Sequence, residues 1–122
     1  ETIQELKSLG VRSSIFVNAD IESMHLADDV KVDAIELYTG PFANDFHKDP
    51  EMAVANYVSA AEIANKLGLR INAGHDLSLQ NLNYFKNQVK FLSEVSIGHA
   101  IVSDALYLGI KAAIAAYKKC LS

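Results

Sequence analysis

Cysteine is nearly absent from this chain. The single Cys120 cannot form an internal disulfide, and with no C-x-x-C pair there is no thiolate zinc site or dithiol redox centre to consider. A reducing cytoplasm is the setting this predicts. Basic runs are missing as well: none is longer than Lys118-Lys119, and the formal net charge is −4, which argues against nucleic acid or an anionic membrane as the main partner. No stretch of about eighteen apolar residues occurs, and the opening ETIQELKSLG has neither the charged region nor the apolar region of a signal peptide. No Pro-rich, Ser-rich or low-complexity linker divides the 122 residues. An initiator Met is absent too, and the first residues read as the last turns of a helix ended by Gly10 as a left-handed cap. The expectation is one domain, or a piece of one, that begins mid-fold.

What is present is a pattern of strand, loop and helix repeated four times in a chain that is 50% hydrophobic. Strands are expected at residues 12–18, 33–39, 69–74 and 95–99. Asp49-Pro50-Glu51 reads as an N-cap, a proline at the first helical position and an acid in the first turn. The helix it opens should run to Gly68, with Ala53, Tyr57, Ala60, Ala64 and Leu67 as its buried stripe. A last helix capped by Ser103 or Asp104 should bury Leu106, Ile110, Ala113, Ile114, Tyr117 and Leu121. Asp20 and Ser78 are candidate caps for two shorter helices.

Parallel strands joined by helices are usually apolar on both faces, yet here one face of every strand is polar. Ser14 and Asn18, Glu36 and Tyr38, Arg70 and Asn72, and Ser96 and Gly98 share one side. Ile15 and Val17, Ile35 and Leu37, Leu69 and Ile71, and Val95 and Ile97 share the other. An oily face for helices and a polar face for a ligand describe the inside of a small closed barrel. Eight-stranded barrels take about 200 residues or more, so four units here amount to half of one. The rival is a small open doubly wound sheet, flavodoxin-like, with helices on both faces.

Ligands of strand-helix proteins bind at the carboxyl ends of parallel strands, and there the chain gathers titratable groups and glycines. LRINAGHD ends in Gly74-His75 and VSIGHAIV in Gly98-His99, while DAIELYTG ends in Thr39-Gly40 with Glu36 in its middle. An imidazole at His75 could reach a substrate and titrate near neutrality; the plain alternative is a surface loop histidine. Glu36, costly to bury as an anion unless paired, either forms a structural ion pair with Arg70 or serves a site. Gly98-His99 runs into a helix, where backbone N–H groups and the helix dipole favour an anion; the alternative is a tight turn. Thr39-Gly40 could offer a hydroxyl and an N–H, and residues 40–49, GPFANDFHKD, are either a lid or an ordinary surface loop. His75, His99 and Glu36 also have the composition of a two-histidine, one-carboxylate metal site, although Glu36 sits deep in its strand and the histidines at strand ends.

The strings SSIFVNAD, AIELYTGPFAN, GLRINAGHDLSLQNL and SIGHAIVSDALYLGIKAAI, in this order and spacing, resemble the carboxyl-terminal half of the pyridoxine 5'-phosphate synthase family over essentially the whole chain. That resemblance implies an α/β fold, the carboxyl-terminal half (about four βα units) of a TIM (β/α)8 barrel with additional helices. It also implies a homo-octamer built from dimers, and no metal or organic cofactor. The activity it implies condenses 1-deoxy-D-xylulose 5-phosphate with 3-amino-2-oxopropyl phosphate, losing phosphate and water. Carried over by motif, Glu36 of IELYTG stabilises the transition state and His75 of NAGH donates a proton. Gly98 and His99 of IGHA bind the aminoketone phosphate. Asp76 belongs to the same substrate site; many members have Gly there, so a backbone contact is the expectation while its carboxylate opposes close approach of a phosphate. The family's general-base histidine and glutamate, and most groups holding the deoxyxylulose phosphate, belong to an amino-terminal half absent from residues 1–122. These residues alone should therefore have an open barrel seam and little or no activity.

Overall fold

The computed structural model describes residues 2–122. Four parallel strands, β1 (Ser14–Val17), β2 (Ala34–Tyr38), β3 (Arg70–Gly74) and β4 (Leu92–Ser96), lie side by side in chain order. A doubly wound sheet reverses its strand order at a switch point; this one does not. Among the described residues seven helices accompany the strands: α1 (Thr2–Ser8), α2 (Ile21–Asp29), α3 (Gly40–Asp45), α4 (Pro50–Lys66), α5 (Leu82–Gln88), α6 (His99–Leu108) and α7 (Ile110–Leu121). None among the described residues is long and apolar enough to cross a membrane.

Helix ends form where local chemistry satisfies them. Asp20 accepts from the Ser23 N–H at 2.7 Å and Asp49 from the Met52 N–H at 3.0 Å, each satisfying one of the free donors of a first turn. Gly10 and Gly68 terminate α1 and α4 in the left-handed conformation, at φ 73° and 76°. At the amino end of the sheet Asp33 accepts from the Ser13 N–H at 2.8 Å, and Lys7 of α1 lies 3.4 Å from the same carboxylate. The Ser13 N–H, then its hydroxyl and Lys7, hold the Asp33 carboxyl below its ordinary value against a smaller opposing effect of desolvation.

The oily face of the sheet is the one expected: Ile35, Leu37 and Ile71 are fully buried, and Ile15, Val17, Val95 and Ile97 pack against the same core. Against it lie Met24 and Ala27 of α2, Val54, Tyr57, Ala60, Ala61 and Ala64 of α4, Leu82 and Phe85 of α5, and Tyr117 of α7. The opposite face stays open. Phe16 is 57% exposed and Arg70, Glu94 and Ser96 are exposed, unlike the residues of a sheet covered on both sides. The flavodoxin-like alternative is overturned by this one-sided covering and by the strand order.

Several local expectations are corrected. The fourth strand is Leu92–Ser96, three residues earlier than 95–99, because Lys90-Phe91 turns into it, Phe91 at φ 65°, and its polar Ser93 and Glu94 interrupt the apolar run. His99 is consequently the first residue of α6. The last helix is two helices broken at Gly109, whose φ of 79° no helical residue adopts. Asp104 is no cap: it accepts a 2.7 Å hydrogen bond from the Tyr117 hydroxyl, which ties α6 to α7. Leu106, expected in the buried stripe, is 82% exposed; Ile110 and Ile114 are exposed too, while Ala113 and Tyr117 are buried. Ser78 does not cap α5; it opens the preceding turn, its carbonyl accepting from the Asn81 and Leu82 N–H groups. Residues 40–49 are not a plain loop. Most of the segment is α3, pinned by the fully buried Phe42, whose ring meets Phe46, Tyr57 and Phe85.

Candidate active site

The register of the sheet decides what the polar face holds. Phe16, Glu36, Asn72 and Glu94 align across the four strands, and Tyr38, Gly74 and Ser96 align one step further toward the carboxyl ends. Arg70 pairs with Glu94 of β4, not with Glu36, so the proposed Glu36–Arg70 ion pair is overturned. Glu36 makes no ion pair among the described residues. It stays half-exposed and faces a cleft, where water can solvate its charge.

That cleft, about 530 Å³, is lined by Phe16, Glu36, His75, Asp76, Ser96, Ile97, Gly98 and His99. Glu36, His75, Asp76, Gly98 and His99, the five residues that the family resemblance marks, therefore share one concavity at the carboxyl end of the sheet. Phe16, Ser96 and Ile97 were not singled out as site residues. The strand register of SSIFV carries Phe16 to the polar face, where the period-two reading of that strand already put Ser14 and Asn18.

Glycine at 74 makes room for the carboxylate. A Cβ there would lie inside the contact distance of Glu36 Oε1 and within 3.1 Å of Ser96 Cβ. Beyond Gly74 the chain turns sharply, with His75 at φ 86° and Asp76 at φ 58°, two successive non-glycine residues in the left-handed region. Thr39 holds this turn. Its buried hydroxyl lies 2.7 Å from the Gly74 carbonyl and against the His75 carbonyl, and its N–H donates to the Gly74 carbonyl at 2.9 Å. The Asn81 side chain adds a bond to the Asp76 carbonyl at 3.3 Å. Thr39 thus directs its hydroxyl to the backbone and Gly40 is buried, so neither lines this cleft, where the sequence offered both as ligand contacts.

The His75 ring is held on two sides. Its Nδ1 lies 3.0 Å from Asp76 Oδ2, and the Tyr38 ring meets it edge-on with centroids 5.2 Å apart. On the far wall, Gly98 precedes α6 at φ −105°, which any residue can adopt, and a Cβ there would touch nothing within 4 Å. The tight-turn explanation for Gly98 therefore fails within this chain. His75, His99 and Glu36 do not gather as a metal-binding trio: among the described residues no three His, Cys, Asp or Glu side chains lie closely enough to hold an ion.

The family model described as pyridoxal phosphate biosynthesis protein PdxJ matches residues 1–122. The chain belongs to the PdxJ family. Curated relatives named pyridoxine 5'-phosphate synthase include proteins of Bacteroides thetaiotaomicron, 52% identical over 121 residues, and Christiangramia forsetii, 53% identical over 121 residues. In both, the match covers 99% of this chain and 51% of the relative. A relative from Parabacteroides distasonis is 48% identical over the full 122 residues, again 51% of its length. The chain thus spans about half the length of the PdxJ relatives it matches. Its four-stranded parallel α/β sheet has the size and order of half a barrel of that family.

Proposed function

We propose that this chain supplies the carboxyl-terminal half of a pyridoxine 5'-phosphate synthase. The whole enzyme joins 1-deoxy-D-xylulose 5-phosphate to 3-amino-2-oxopropyl phosphate and releases phosphate and water. The observation that carries this reading is the convergence of Glu36, His75, Asp76, Gly98 and His99 on one cleft, in a chain of the PdxJ family.

The chemistry asks for proton transfers and charge stabilisation. Amine and ketone must condense, water and phosphate must leave, and an aldol-like step must close the ring; each positioned acid or base contributes about a hundred- to ten-thousandfold. Glu36, a carboxylate without an ion-pair partner among the described residues, stabilises the positive charge that develops on the condensing nitrogen. His75 delivers a proton to a leaving oxygen. Gly98 and His99 bind the aminoketone phosphate at the start of α6, where unpaired N–H groups and the helix dipole favour an anion; the empty space beside Gly98 supports a close approach. The Asp76 carboxylate turns toward His75, so Asp76 meets the substrate through its backbone. The amino-terminal half completes the barrel over the open polar face, supplying the general base and the deoxyxylulose phosphate contacts. Assembly of the complete protein into a homo-octamer in the cytoplasm belongs to the same reading.

The test is product formation by the full-length protein and by its His75→Ala variant. Pyridoxine 5'-phosphate from the first, with a loss of at least a hundredfold in the second, is the expected result. A folded full-length protein that makes no product from the two phosphates would overturn it.

A further inference from the structure

The two left-handed residues at the end of β3 do more than turn the chain. Their conformation swings the Asp76 carboxylate back onto the preceding imidazole, Oδ2 to Nδ1 at 3.0 Å. An ionised carboxylate has no proton to give, so in this contact Nδ1 must be the donor. Nε2 is then the ring nitrogen left for chemistry in the cleft. The Tyr38 ring, 5.2 Å away and edge-on, restrains the imidazole from the side of β2. Asp76 is in turn anchored through its own carbonyl by Asn81, and the His75 carbonyl is held by Thr39. The other titratable groups around His75 are Glu36 and the Tyr38 hydroxyl from β2, and His99 from α6 across the cleft.

We propose that Asp76 is a positioning residue for His75: it keeps the proton on Nδ1 and presents Nε2 to the substrate. The inference rests on the proton-donor role given to His75 above. In the step it supports, the Nε2–H bond of the imidazolium breaks, its electron pair stays on the nitrogen, and the proton passes to the leaving oxygen of the substrate. The remaining Nδ1–H keeps its bond to Asp76, so the neutral ring is left in one tautomer and cannot turn over.

Two variants separate this role from a structural one. Asp76→Gly suits the left-handed backbone and removes the acceptor; Asp76→Asn tolerates the same backbone and keeps an oxygen toward Nδ1. Nitrogen-resolved NMR of the imidazole in the full-length protein reads the tautomer directly. The neutral His75 should carry its proton on Nδ1 in the parent and in Asp76→Asn, and show the Nε2–H form in Asp76→Gly. In parallel, kcat should fall about tenfold in Asp76→Gly with KM for both substrates unchanged, and Asp76→Asn should recover most of that loss. An unchanged tautomer in Asp76→Gly overturns the proposal. So does a fall in KM with kcat preserved, which would mark Asp76 as only a repulsive neighbour of the phosphate. If the parent forms no product, the synthase reading fails while the NMR measurement still decides the role of Asp76.

Discussion

Replacing Gly74 by Ala adds one methyl group at the point where β3 passes behind Glu36. Gly74 is not among the positive-φ residues, so the backbone accepts alanine without strain. The new Cβ would overlap Glu36 Oε1 and stand 3.1 Å from Ser96 Cβ and 3.2 Å from the Ser96 carbonyl. The atom best able to yield is the carboxylate oxygen, at the end of a flexible side chain facing an open cleft. Overpacking in a rigid core costs about 1–3 kcal/mol, and with so mobile a neighbour the cost should fall near 1 kcal/mol. The functional cost should be larger, because displacing a reacting group by about 1 Å can lower a rate by about a hundredfold. The assay is steady-state product formation by full-length Gly74→Ala and Glu36→Gln, with urea denaturation of each. The two variants should lose activity to a similar degree while Gly74→Ala remains folded. A Gly74→Ala enzyme within twofold of the parent would refute the idea that the Glu36 position matters.

Gly98→Ala should leave stability within about 0.5 kcal/mol, since the added methyl meets nothing; it should raise KM for the aminoketone phosphate, read by titrating that substrate with the other saturating. Thr39→Val removes the hydroxyl that supports the His75 carbonyl while the Thr39 N–H continues to serve Gly74. It should lower unfolding stability by about 1–3 kcal/mol, and Thr39→Ser should cost less. Asp33, held below its ordinary value mainly by the Ser13 N–H, favours the folded state at pH values above the unfolded carboxylate value; that contribution is lost as pH falls through the lowered folded value. Denaturation midpoints between about pH 5 and pH 2 should therefore drop less steeply in Asp33→Asn than in the parent, since an ordinary aspartate titrates at about 4.

Period-two alternation identified the oily and polar faces of the strands because a half-exposed sheet writes its geometry directly into residue type, as Ile35 against Glu36 illustrates. Helix α4 was readable for a similar reason, with a cap, a proline and a stop supplied by neighbouring residues. Features that depend on distant partners were not. Arg70 shares a face with both Glu36 and Glu94, and only the register of β4 decides between them. The stripe from Leu106 to Leu121 continues in helical spacing across Gly109, and that apolar pattern outweighs the one local signal of a break, the glycine itself. Thr39 looked available to a ligand because its acceptors lie 35 and 36 residues away. The glycines and histidines of the cleft were legible because those residue types at strand ends carry a chemical signal; Phe16, which lines the same cleft, carries none in isolation.

That the cleft holds a phosphate on Gly98 and His99, with the reacting groups at Glu36 and His75, is tested most directly by a crystal structure of the full-length protein with pyridoxine 5'-phosphate bound. The phosphate should lie about 3 Å from N–H groups at the start of α6, with the pyridine ring against Glu36 and His75. Product bound outside this cleft, or inside it with the phosphate turned away from α6, would contradict the assignment.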